Sequence, residues 1–265
     1  MAEDAVLTSH VLDTAAGGPA RGMSVHLYRL DGGDTVALGG MVTNADGRCD
    51  VPLLTLANAA PGRYRLEFGA GAYFGGEGVS SFYGDVPVDF SLTDPGGHYH
   101  VPLVVSPWGY STYRGIPPDR TPSDTANTLQ PGMMVGLEET ASGSMSGAGL
   151  TTHVIDIAQG IGAADLAINV YRLRSRLGSR IHIGRCTTTG EGRTADWLIS
   201  GGQLEAGSYE LEFHLGPYFQ ATALAMPPTP FFEVARIRFN VNDPNAHYHV
   251  PLLASPWGYT TYRGG

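Results

Sequence analysis

Lysine is missing from this sequence of 265 residues, whose sixteen basic residues are all arginine. A bias in coding composition accounts for that, so no mechanism follows from it. Cysteine is scarce: Cys49 and Cys186 are the only two, which excludes a disulfide framework, and their spacing fits no metal site. A reducing cytoplasm is the expected setting. No apolar run approaches the roughly eighteen residues of a membrane span. Positive charge is in deficit as well. The formal net charge of −9 argues against nucleic acid or an anionic membrane as main partner. The opening MAEDAVLTSH has no basic and no apolar region, so a signal peptide is not expected. The closing Tyr-Arg-Gly-Gly is not a peroxisomal tripeptide.

Turn-forming residues are plentiful. With 37 glycines and 18 prolines, many short strands joined by turns are favoured over long helices. The chain is long enough for two domains, each with its own core. It also repeats itself. HYHVPLVVSPWGYSTYRG at 98–115 returns as HYHVPLLASPWGYTTYRG at 247–264, identical at fifteen of eighteen positions. TSHVLD (8–13) returns as TTHVID (151–156), VHLYRL (25–30) as INVYRL (168–173), and GRYRLEFGAGAYF (62–74) as GSYELEFHLGPYF (207–219). The offset grows from 143 to 149, and a period this long marks a duplicated domain. The expected domains are 1–116 and 149–265. Between them 117–148, rich in Pro, Ser, Thr and Gly, reads as a linker with a span on the order of 30 Å.

Within each copy the period is two. Tyr64, Leu66 and Phe68 alternate with Arg63, Arg65 and Glu67, while Ala235, Ile237, Phe239 and Val241 alternate with Arg236, Arg238 and Asn240. Val86, Val88, Phe90 and Leu92 share one face. Such segments are half-buried strands. Each copy reads as an all-β sandwich of seven or eight short strands with at most one short helix. That helix is expected near 219–226, ended by Pro227 and Pro228; its counterpart FGGEGVSSF (74–82) is a poor helix former.

Three chemical elements recur in both copies. The first strand holds a histidine, His10 or His153. A turn Asp-Gly-Arg or Glu-Gly-Arg presents Arg48 or Arg193. The last strand holds His-x-His, as His98 and His100 or His247 and His249, and each copy closes on Tyr-Arg-Gly. On a strand both histidines of the pair point the same way. Imidazole titrates near neutrality and takes a proton from water, while guanidinium holds a carbonyl oxygen as it becomes an oxyanion. A strand histidine taken alone is more often a hydrogen-bonded filler, and His-x-His is also a metal-ligand spacing. No Asp, Glu or Cys is repeated nearby in a ligand-like pattern, so no metal is expected. Retention of the same set in both copies, while the sequence between them drifts, points to a shared site. Cys49 beside Arg48 faces Thr194 in the second copy, which argues against a thiol nucleophile.

These motifs resemble 5-hydroxyisourate hydrolase, the transthyretin-related enzyme of urate breakdown, over 5–115 and again over about 150–264. The resemblance implies a transthyretin-like sandwich, tetramers built as dimers of dimers, and sites at subunit interfaces. It assigns catalysis to His10, Arg48 and His100 and to His153, Arg193 and His249. Tyr113 and Tyr262 are implied to line the substrate pocket, with Arg114, Arg263, His98 and His247 expected to bind substrate beside them. It implies hydrolysis of a cyclic amide in a purine-derived substrate without a cofactor, and a homodimer of two-repeat chains acting as a pseudo-tetramer. One departure is visible. The family pattern ends Tyr-Arg-Gly-Ser, and here Ile116 and Gly265 stand in the serine's place. A diverged enzyme acting on another heterocycle, or a non-catalytic binder of transthyretin type, are the alternatives.

Overall fold

A computed structural model describes residues 5–115, 147–174 and 179–264. The alternation seen in the sequence builds the outer layer of each repeat. Tyr64, Leu66 and Phe68 are buried in Gly62–Phe68, as are Ala235, Ile237, Phe239 and Val241 in Ala235–Val241. Repeat 1 orders Asp34–Val42, Ser24–Asp31, Gly62–Phe68 and Val86–Leu92 into a four-stranded antiparallel sheet. Repeat 2 does the same with Arg180–Thr187, Ala167–Leu173, Gly207–Phe213 and Ala235–Val241. Buried rings fill the space beneath, including Tyr64, Phe68, Phe74 and Phe90 in repeat 1 and Tyr209, Phe213, Phe219 and Phe239 in repeat 2. Each such ring contributes about 1.5–3 kcal/mol through burial.

The inner layers of the two repeats are a single sheet. Gly109–Tyr113 pairs antiparallel with Gly258–Tyr262, joining four strands of each repeat into eight. In that pairing Ser111 sits opposite Thr260. These are equivalent positions of the two copies, so a local twofold axis passes between them, and their hydroxyl oxygens are 2.8 Å apart.

Several expectations need correction. Each repeat has eleven short strands among the described residues, not seven or eight. The first strand is interrupted at Ser9–His10, and the histidine strand at Val101–Pro102, where proline has no N–H for the ladder. Val86–Leu92 is buried on both faces, because its second face lies against repeat 2. The second helix is Leu215–Ala221, earlier than expected, and repeat 1 has its own, Ala70–Gly76, despite its glycines. Packing overrides propensity there. Phe74 and Phe219 are buried, and the hydroxyls of Tyr73 and Tyr218 donate to Asp13 and Asp156, each at 3.0 Å. The expected linker, 117–148, lies outside the described residues except for its last two positions.

Candidate active site

Strand register brings the first site together. Leu7 and Thr8 pair in parallel with Tyr99 and His100, which sets Thr8 beside the His-x-His segment. Tyr99 and Val101 point into the core, and His98 and His100 point the other way. The Thr8 hydroxyl lies 2.9 Å from His100 Nδ1 and 3.2 Å from His98 Nε2. Repeat 2 reproduces the arrangement, with Thr151 Oγ1 at 2.9 Å from His249 Nδ1 and 2.7 Å from His247 Nε2.

The interruption of the first strand gives His10 a different partner. His10 bridges to Arg48, and His153 to Arg193, each by an isolated antiparallel pairing. The turn that delivers the arginine depends on its glycine. Gly47 has φ +71°, and a Cβ there would meet the Val11 carbonyl oxygen at 2.3 Å; Gly192 has φ +77° and the same conflict with Val154 O at 2.0 Å. The two backbone segments are close here because Val11 and Val154 N–H donate to the carbonyls of Gly47 and Gly192, each at 2.8 Å. In repeat 2 His153 Nε2–H donates to the Glu191 carbonyl at 3.0 Å, and His10 has the equivalent backbone partner in Asp46.

The last glycine of Tyr-Arg-Gly completes the enclosure. Gly115 N–H donates to His100 O at 2.8 Å, and Gly264 N–H to His249 O at 2.9 Å. A Cβ on either glycine would stand 2.6 Å from the histidine Cδ2. The imidazole face and the glycine backbone are therefore in direct contact, and no larger residue fits without moving the ring.

Burial holds His100 down to about 4, with the charges of Arg48, His98 and His10 acting in the same direction. His249 is likewise held at about 4 by burial, then Arg193, His247 and His153. The His10 imidazole is lowered by burial and Arg48. Both deep histidines are neutral at pH 7. The unfolded chain takes up these protons near pH 6.5, before the folded chain does. The associated stability is thus complete above about pH 6.5 and is lost as pH falls from there through about 4. We expect the urea midpoint to drop between pH 7 and pH 5, with a smaller drop in His100→Gln/His249→Gln; equal drops would refute the assignment.

The arginines and tyrosines of the two closing segments occupy the following places. The Arg114 guanidinium lies 5.2–5.4 Å from the centres of Tyr99, Phe231 and Trp257. Arg263 lies 5.1–5.5 Å from those of Tyr248, Phe82 and Trp108. Each cage takes rings from both repeats, and each stacked contact is worth about 0.5–2 kcal/mol. Tyr113 and Tyr262 occupy the last positions of the two paired inner strands, and burial raises the Tyr113 hydroxyl. Burial also raises the thiols of Cys49 and Cys186, which keeps them poorly nucleophilic.

Thr8 and Thr151 were not singled out by sequence reasoning, although both stand in the repeated TSHVLD and TTHVID segments. Replacing them with valine keeps shape and removes the hydroxyl that steers both imidazoles. Thr8→Val/Thr151→Val should lower kcat about tenfold with little change in KM. An unchanged kcat would make the threonines mere packing.

Among the described residues, no three or more His, Cys, Asp and Glu side chains group so as to hold a metal ion, and no helix there is long and apolar enough to cross a membrane. A family model described as HIUase/Transthyretin matches residues 7–115 and again 150–264. The chain is 52% identical over 113 residues to a 5-hydroxyisourate hydrolase of Mesorhizobium japonicum, covering 41% of this chain and 90% of that one. It is 45% identical over 115 residues to 5-hydroxyisourate hydrolase of Mus musculus, covering 43% and 97%. A solved Klebsiella pneumoniae 5-hydroxyisourate hydrolase is 38% identical, with a TM-score of 0.36 over 42% of this chain and all of that one. With both copies matched, the chain belongs to the HIUase/Transthyretin family.

Proposed function

We propose that this enzyme hydrolyses 5-hydroxyisourate at two equivalent sites, one in each repeat. The observation that carries the reading is the His–Arg–His cluster, steered by a threonine hydroxyl and built twice with the same 2.9 Å from that hydroxyl to Nδ1 of His100 or His249. The curated relatives of that name, matched across nine-tenths or more of their length, support it.

In this mechanism water attacks an amide carbonyl of the six-membered ring. Thr8 accepts Nδ1–H of His100 and donates to His98 Nε2, which leaves His100 Nε2 as the nitrogen that takes the water proton. Arg48 holds the anionic substrate and the developing oxyanion. The tetrahedral adduct collapses with cleavage of the C–N bond, and the imidazolium returns its proton to the departing ring nitrogen. The product is 2-oxo-4-hydroxy-4-carboxy-5-ureidoimidazoline. An anionic substrate also offsets the field of Arg48 that lowers His100, so the base strengthens when the site is loaded. His10 steadies or relays the proton, and Tyr113 and Tyr262 line the substrate's path. The same roles fall to His249, Arg193 and His153 in repeat 2.

The assembly we infer is a homodimer of chains, four copies in all, because each chain already joins two copies edge to edge. Cytoplasmic action fits the two free thiols, Cys49 and Cys186. A second reading, a related ring-opening enzyme with another heterocyclic substrate, is favoured by Ile116 and Gly265 in place of the family's serine. The test is the decay of freshly generated 5-hydroxyisourate, followed by ultraviolet absorbance. Acceleration by the chain is expected. No acceleration from well-folded protein would sink the first reading and leave the second.

A further inference from the structure

Between the outer sheets, Val86–Leu92 of repeat 1 and Ala235–Val241 of repeat 2 face one another across the local twofold axis. Packing there obeys the axis. Ser91 N–H donates to Phe231 O at 2.9 Å and Asn240 N–H to Phe82 O at 3.1 Å, and the two arginine cages match. Charge does not obey it. In repeat 1 Arg65 pairs across strands with Asp89; at the equivalent positions of repeat 2 Glu210 pairs with Arg238, with the signs exchanged. Pro87 corresponds to Arg236, and Thr35 to Arg180.

The resulting network is buried, with Asp89 at 2% exposure and Glu210 at 1%. Asp89 accepts from Arg65 at 2.5 Å and, across the seam, from Arg236 at 2.6 Å. Glu67 accepts across the seam from Arg238 at 2.7 Å. Glu210 also meets Arg180 at 2.5 Å and Arg238 at 2.6 Å, and Glu212 meets Arg180 and Arg236. Repeat 1 supplies one cation and two anions; repeat 2 supplies three cations and two anions. Within this buried network only one repeat of each kind sums to zero; outside it, the half-exposed Arg63 of repeat 1 also meets Glu233 of repeat 2 at 3.1 Å.

We propose that this seam is heterologous: repeat 1 accepts repeat 2 across it, and neither repeat accepts a second copy of itself. The axis specifies what a like pairing would do. Repeat 1 against itself sets Glu67 opposite Asp89 and leaves Asp89 facing Pro87. Repeat 2 against itself sets Arg238 opposite Arg236. Taking like charges out of water without partners is strongly unfavourable, and such juxtaposition selects between partners. Any pair joined at this seam thus contains one site of each repeat.

The test keeps the full chain and exchanges the residues of this network between the repeats. One variant recharges repeat 1 as repeat 2 (Thr35→Arg, Arg65→Glu, Pro87→Arg, Asp89→Arg). A second recharges repeat 2 as repeat 1 (Arg180→Thr, Glu210→Arg, Arg236→Pro, Arg238→Asp). A third carries both sets and so restores the complement with the sides exchanged. Each single set should lower the melting midpoint by roughly 10 °C or more, and the combined variant should recover most of that loss. A recharged single set as stable as the natural chain would overturn the proposal. So would a combined variant no more stable than the weaker single set, since the charges would then not be what selects the partner.

Discussion

Replacing His100 and His249 together by alanine should reduce the accelerated decay of 5-hydroxyisourate by roughly 10²–10⁴-fold, the range for a lost general base. Either replacement alone should leave about half of the natural rate, because independent sites add. The expectation of two working sites rests on how closely they agree. Thr8 and Thr151 hold Nδ1 of the two histidines at the same 2.9 Å, and both rings are lowered to about 4 by burial and then by their arginine. Near-complete loss in one single variant would show that only that repeat turns over substrate. Full activity in the double variant would remove these histidines from the mechanism. Circular dichroism of each variant separates lost chemistry from lost fold.

Adding one methyl group to each closing glycine should be nearly as damaging. In Gly115→Ala/Gly264→Ala the new Cβ would sit 2.6 Å from the histidine Cδ2, so the ring must turn or the terminal strand must shift. Turning the ring stretches the Thr–Nδ1 hydrogen bond and moves Nε2 away from the attacking water. A displacement on the order of 1 Å costs about a hundredfold in rate, and that loss should appear in kcat. The midpoint of thermal unfolding should fall as well, because both glycines are buried and overpacking costs about 1–3 kcal/mol. Loss of stability with retained kcat per folded molecule would show that the contact is structural only.

Much of this was legible beforehand. Alternation located Gly62–Phe68 and Ala235–Val241, and recurrence singled out the histidines and the Asp-Gly-Arg turn, since both signals are local. What lay hidden depends on partners distant in sequence. The helix Ala70–Gly76 forms because Phe74 is buried and Tyr73 reaches Asp13, which no window of its own residues reveals. Val86–Leu92 looked one-faced because its second face is covered by the other repeat. Arg114 and Arg263 carry the charge of a substrate clamp, yet lie over rings from both repeats. Thr8 is indistinguishable from any strand threonine until a parallel register sets it beside His100.

The eight-stranded sheet has a kinetic meaning. Were the two copies separate chains, Gly109–Tyr113 and Gly258–Tyr262 would meet by collision, and their union would fade on dilution. Carried on one backbone, they meet at an effective concentration on the order of millimolar, whatever the amount of protein present. The paired strand edges are then closed as soon as the second copy folds, and newly made chains at low abundance hold the same sheet as a concentrated stock.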